Sequence, residues 1–166
     1  MQTAMLHGAP DAIQIHFKAR VTPAENPVGQ LTPGGRADAQ LMKPPYLRYL
    51  LEYIIDIRTV QFTVDANKVH HGALEVESTV YGRDGNPANS MLSHVNLDLP
   101  DDRFAQIAQQ GVLTRQTIEA PAKGAFYVRA GLHDLKSDFV GALEIPLGGQ
   151  KSAQEMRAQA AAQAAQ

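Results

Sequence analysis

Apolar and polar residues alternate with period two along much of the chain. That pattern predicts strands with one buried and one wet face. Ile13, Ile15, Phe17, Ala19 and Val21 alternate with Gln14, His16, Lys18 and Arg20. Leu74, Val76, Ser78 and Val80 alternate with Glu75, Glu77 and Thr79, and Met91, Val95, Leu97 and Leu99 with His94, Asn96 and Asp98. Between the last two runs stands Arg83-Asp84-Gly85-Asn86, whose Asp-Gly pair supplies the positive-φ residues of a tight hairpin turn. Residues 112–119, the set Phe126, Val128, Ala130 and Leu132, and the set Phe139, Leu143, Ile145 and Leu147 complete the predicted strands.

Residues 46–64 are long for one strand, and their apolar phase changes. Tyr49, Leu51, Tyr53, Ile55 and Ile57 occupy odd positions, whereas Val60, Phe62 and Val64 occupy even ones. A slip of one residue turns every side chain to the other face, so a bulge or bend is expected near Arg58-Thr59, where the chain passes between sheets. One helix is predicted: Pro100-Asp101-Asp102 opens it, Phe104, Ile107 and Ala108 follow at helical spacing, and Gly111 ends it. It is expected to cross between sheets at one end.

About seven short strands, turn signals and one short crossover helix point to an immunoglobulin-like antiparallel β-sandwich, with a closed barrel as the alternative. The sandwich is expected to span residues 1–147 as one domain. Within it, residues 22–45 are rich in Pro and Gly, include Thr32-Pro33-Gly34-Gly35, and read as a long flexible connection. From Gly148 onward the chain is rich in Ala and Gln with no apolar stripe, and reads as a disordered or helical tail (148–166).

Composition narrows the function. The chain has 166 residues and a net charge of -2, and its Lys and Arg residues are scattered, so a nucleic-acid partner has no electrostatic support. No stretch approaches the roughly 18–20 apolar residues of a membrane span, which excludes insertion by a helix. The chain has no cysteine, which removes disulfides, thiolate catalysis and Cys-ligated metals.

Several residues invite chemical readings. His70 and His71 are adjacent, but neighbours on a strand point to opposite faces and no further ligand stands at suitable spacing. His133 and Asp134, with Asp138 nearby, suggest a base and its orienting carboxylate, yet neither Ser137 nor Ser152 sits in a nucleophile turn. Asp134 to Asp138 fits the polar turn between the last two strands better. Asp65-Ala66-Asn67 opens like a calcium loop but has His70 and Val76 where that loop needs Gly and Glu. Glu75 and Glu77 share a strand face about 7 Å apart, a spacing ordinary for solubilising residues. No glycine-rich phosphate loop occurs. No catalytic, cofactor-binding or metal-ligating residue is therefore assigned.

One ordered series is more specific. Val69-His70-His71-Gly72-Ala73-Leu74-Glu75 leads through Val80-Tyr81-Gly82-Arg83-Asp84-Gly85 to Leu97-Asp98-Leu99 and the helix. Phe126-Tyr127-Val128-Arg129-Ala130-Gly131-Leu132-His133-Asp134 and Val140-Gly141-Ala142-Leu143-Glu144-Ile145-Pro146-Leu147 follow. This series resembles the C-terminal β-sandwich region of the von Willebrand factor A-related (VWFA-related) proteins of acidobacteria. The resemblance implies the end of a larger exported protein and an extracytoplasmic location. The Asp-x-Ser-x-Ser metal motif of the A domain is missing here, so metal-dependent adhesion does not carry over.

Three readings follow. The first is a non-catalytic interaction or spacer module, its partner a protein or a second copy joined through edge-strand pairing or swapping of residues 13–21. The second is a carbohydrate-binding sandwich, for which only Tyr81 and Tyr127 lie outside the inward phase of their strands. The third is a metal-dependent or hydrolytic domain around His70, His133 and Asp134.

Overall fold

The computed structural model describes residues 1–148, and these form a mainly-β sandwich of two antiparallel sheets. The larger sheet contains β1 (Ala12–Ile13), β3 (Arg36–Ala37), β5 (Thr63–Val64), β6 (Val69–Gly82), β7 (Pro87–Pro100), β9 (Phe126–Asp134) and β10 (Val140–Leu147). The smaller contains β2 (Phe17–Pro23), β4 (Tyr46–Ile55) and β8 (Val112–Pro121) in the order β2-β4-β8. The large sheet runs β1-β10-β9-β6-β7-β3, with β5 against β6. The expected count of about seven strands is exceeded by three two-residue pieces, β1, β3 and β5.

The chain changes sheet between β1 and β2, β2 and β3, β3 and β4, β4 and β5, β7 and β8, and β8 and β9. The first change corrects the single strand expected at 13–21. Ala12 and Ile13 pair with Ala142 and Gly141, whereas Phe17 to Pro23 pair with Ile55 to Tyr49. At the crossing the N–H groups of Gln14 and Ile15 both donate to the Val140 carbonyl, at 3.1 and 3.3 Å. The apolar alternation of the sequence runs on through this break, but the facing does not: Ile13, expected inward with Ile15 and Phe17, is 75% exposed, while Ile15 is buried.

The crossing expected near Arg58-Thr59 is present. A 3-10 turn over Ile57–Thr59 carries the chain from β4 to β5, capped by Asp56, whose carboxylate accepts the Arg58 N–H at 3.1 Å. Helix α1 (Asp101–Gln110) joins β7 to β8 with two acids in its first turn, where they complement the helix dipole. Gly111 ends it at φ 82°, donating to the Ile107 carbonyl at 2.7 Å. The hairpin between β6 and β7 closes with Gly85 at φ 78°.

The connection at 22–45, expected to be flexible from its composition, is tied to the body along its length. Ala24 donates to the Arg48 carbonyl, Val28 bridges Tyr46, and β3 pairs with Asn89 and Ser90 of β7. The Thr32 N–H and hydroxyl both donate to the buried Glu119 carboxylate, at 3.0 and 2.6 Å, and Arg48 Nε donates to it at 2.6 Å. These partners are distant in sequence, which is why local composition misses them. The tail predicted from 148 lies outside the described residues except for Gly148, whose carbonyl accepts the Tyr49 hydroxyl at 2.6 Å.

The core fills the space between the sheets. Tyr49, Leu51, Tyr53, Ile55 and Ile118 of the small sheet meet Leu74, Val76, Val80, Val128, Ala130 and Leu132 of the large one. Each Val, Leu or Ile side chain buried here stabilises the fold by about 1.5–3 kcal/mol. A polar bridge crosses this core: the Tyr53 hydroxyl donates to Gln116 Oε1 at 3.1 Å, while Gln116 Nε2 donates to the Val76 carbonyl at 2.8 Å. Burial pushes the Tyr49 hydroxyl up to about 12. Phe139, expected in the inward set of the last strand, instead precedes β10 and is 45% exposed. The positive φ of Asp138 turns the chain there, and Val140 and Ala142 are buried.

Candidate functional site

Alternate residues of β6 point out of the large sheet and meet acids and histidines on the strands beside it. Glu75 stands opposite His94 of β7 and His133 of β9. Such directly opposed pairs are the units of side-chain contact in a sheet. His133 Nδ1 lies 3.0 Å from Glu75 Oε2 and its Nε2 2.6 Å from Asp138 Oδ1, while His94 Nε2 lies 3.3 Å from Glu75 Oε1. His71 is held in the same way, between Asp98 (2.6 Å) and Asp65 (3.2 Å).

The electrostatics follow from these pairings. Hydrogen bonds to Asp98 and then Asp65 raise the His71 imidazole above its ordinary value. For His133 burial is the largest single influence and acts downward, but Glu75 and Asp138 together outweigh it and the net shift is upward. The His133 hydrogen bond holds Glu75 low, whereas burial raises Glu77 on the same face. Among the described residues no group of three or more His, Cys, Asp or Glu side chains is placed to hold a metal ion.

The residues of the hydrolytic reading fall in three places. His70 stacks on Phe104 of α1 with ring centroids 4.0 Å apart, and its Nε2 lies 2.8 Å from Asp101 Oδ1. It stands five positions before Glu75 along β6, about 16 Å by strand geometry, so it does not meet His133. Asp134 points inward, opposite to its neighbour His133, and is fully buried. Its carboxylate accepts the Gln61 N–H (2.7 Å), the Lys136 N–H (2.9 Å) and the Ser137 hydroxyl (2.7 Å). That is the turn between β9 and β10, and the Ser137 proton is committed to it.

A feature that sequence reasoning missed covers the outward face of β9. Residues 1–11 lie across it as an arm containing a 3-10 turn at Gln2–Met5. Arg129 is 1% exposed, and its guanidinium donates to the Ala4 carbonyl (2.8 Å), the Pro10 carbonyl (2.6 Å) and the Asp11 carboxylate (3.4 Å). The Tyr81 hydroxyl donates to the Met5 carbonyl at 2.6 Å, and the His7 ring packs on Tyr81 and Tyr127. Tyr81 is thereby buried rather than free to stack on a sugar ring. A Cβ at Gly131 would fall on the Met5 sulfur. The signal was Gly131 itself, because a glycine inside a strand marks a close approach of another segment.

Two clefts flank His16 and Arg58 at the end of the sandwich. One of about 420 Å³ is bounded by Phe17, Ile54, Asp56 and Gly111, and one of about 540 Å³ by Gln14, Thr59, Ser137 and Phe139. The Arg58 guanidinium between them is engaged by both oxygens of Asp56, at 2.8 and 2.7 Å. Beside the first cleft, the outer face of the small sheet exposes Ile54 next to Leu113, with Leu50 further along β4. Lys18 stands beside Ile54, and the ion-paired row of Arg20, Glu52 and Arg115 runs between Ile54 and Leu50.

No family model, curated protein or solved structure matches this chain.

Proposed function

We propose that this chain is a non-catalytic interaction module that binds a partner protein through the outer face of its small sheet. The observation that carries the reading is the adjacency of Ile54 and Leu113, which are 46% and 48% exposed at the α1 end of the outer face of the small sheet. The exposed Ile54–Leu113 pair beside Lys18, with the Arg20–Glu52–Arg115 row next to it, suits a partner surface that is apolar opposite the pair and polar alongside it. The non-catalytic part of the reading draws support from the titratable groups, which pair with one another in separate places instead of converging on a cleft. The setting, as part of a larger exported protein, rests on the resemblance to the VWFA-related proteins.

The test is capture from the envelope and secreted proteins of the source organism by the immobilised chain, against an Ile54→Glu/Leu113→Glu variant of equal thermal stability. A saturable partner retained by the parent and lost by the variant supports the reading. Equal capture by both removes this face as the site, and no capture by either leaves the spacer role.

A further inference from the structure

The arm at residues 1–13 is seated on the large sheet, against β6, β9 and β10. Arg129 lies at the bottom of the groove, and every hydrogen bond of its guanidinium goes to Ala4, Pro10 or Asp11. Tyr81 donates to Met5, Glu144 accepts the Gly8 N–H at 3.1 Å, and His7 Nδ1 lies 3.0 Å from the same carboxylate. The three atoms nearest to a Cβ at Gly131 all belong to Met5 and Met1 of the arm. Beyond these residues β1 extends the edge of β10, and the chain then crosses to the small sheet over residues 14–16.

We infer that this arm is exchangeable, and that the groove over Arg129 and Gly131 accepts residues 1–13 of a second copy of this chain. Every contact just described is made between the arm and the body, so a reciprocal exchange reproduces all of them, and its cost falls on residues 14–16, where Gln14 and Ile15 donate to the Val140 carbonyl and Ile15 is buried. The closed monomer keeps the groove occupied through its high effective concentration of arm, in the millimolar range for a short connection. Exchange therefore becomes visible when one chain's arm and another chain's groove are disabled. The proposal concerns the large sheet and does not depend on partner binding by the small one.

Complementation between two full-length variants tests it. Met5→Glu spoils the arm and leaves the groove intact, because a carboxylate cannot sit on Gly131. Gly131→Leu blocks the groove and leaves the arm intact. Each variant alone is expected to sediment as a monomer, and an equimolar mixture at about 1 mM is expected to contain a one-to-one dimer of twice the chain's mass. Fluorescent peptide 1–13 is expected to bind the Met5→Glu chain at least tenfold more tightly than the Gly131→Leu chain. Folded variants that stay monomeric when mixed and show no difference in peptide binding overturn the proposal. So does a dimer of the Met5→Glu chain alone. Should these variants fail to fold, Met5→Ala and Gly131→Ala replace them, and loss of the folded state in Met5→Ala as well makes the arm an inseparable part of the core and overturns the proposal.

Discussion

His133 and Glu75 face each other across the β6–β9 pair, with Nδ1 of the imidazole 3.0 Å from Oε2 of the carboxylate. Asp138 approaches the other ring nitrogen, and His71 repeats the arrangement between Asp98 and Asp65. Both imidazoles titrate above their ordinary value in the folded chain. A histidine raised in this way contributes stability that is complete below its unfolded value, about 6.5, and is lost as pH rises through the folded value. The Glu75, Asp65 and Asp138 carboxyls are lowered and contribute above their unfolded range, about 4. The pairs therefore support the fold most fully between about pH 5 and 6.5. A His71→Gln/His133→Gln variant is expected to melt below the parent at pH 5.5 and to approach it at pH 8.5. Calorimetry at the two pH values checks this, and an equal difference at both would contradict it.

Arg129 is expected to be among the costliest polar residues to replace. Its removal takes the donor from the Ala4 and Pro10 carbonyls, or releases the arm to water, while the Asp11 carboxylate is 61% exposed and stays hydrated. Arg129→Met should lower stability by about 2–4 kcal/mol. Hydrogen exchange should rise selectively over residues 1–13. Arg129→Lys should recover little, because an ammonium lacks the planar fork that reaches all three acceptors.

Replacing Glu119 should loosen the connection at 22–45. The carboxylate is 1% exposed and gathers Thr32 and Arg48. Glu119→Ala is expected to cost about 2–4 kcal/mol and to open residues 25–43 to limited proteolysis before the sandwich unfolds. Simultaneous loss of both would show the connection to be part of the same cooperative unit.

Gly111 combines a left-handed φ of 82° with a Cβ position that would approach the Ile54 side chain and the Ile55 carbonyl, at 2.9 and 3.0 Å. Gly111→Ala is expected to destabilise the chain by about 1–3 kcal/mol, measured by denaturant titration with an unchanged slope.

Much of the fold was legible because its signals are local. Gly85 marks the β6–β7 hairpin, Pro100-Asp101-Asp102 and Gly111 bracket α1, and the change from odd to even apolar positions after Ile57 announces the crossing there. The break at Gln14–Ile15 was not legible, since the apolar residues keep their alternation through it although Ile13 faces water and Ile15 the core. Burial of Arg129, Tyr81 and Glu119 was not legible either, because the groups that cover them come from residues 1–11 and 22–45, far along the chain. For the candidate residues, strand parity separated His70 from His71, and the same parity parts His133 from Asp134, which their adjacency in sequence had suggested as a base and its orienting carboxylate. Which carboxylate each histidine meets depends on register between strands, and no single strand carries that information.

The repeated passage between layers has a kinetic consequence. The central strand of the small sheet, β4, pairs with β2 and β8, and the segments between them contribute strands to the large sheet. Neither layer can be completed by a continuous stretch of polypeptide. Loop-closure entropy must be met for both layers before their pairings stabilise anything, which places folding in the slow range of β-sandwiches, milliseconds to seconds. A ribosome-bound chain that ends before β8 therefore lacks an edge of the small sheet, and productive assembly awaits residues 112–121.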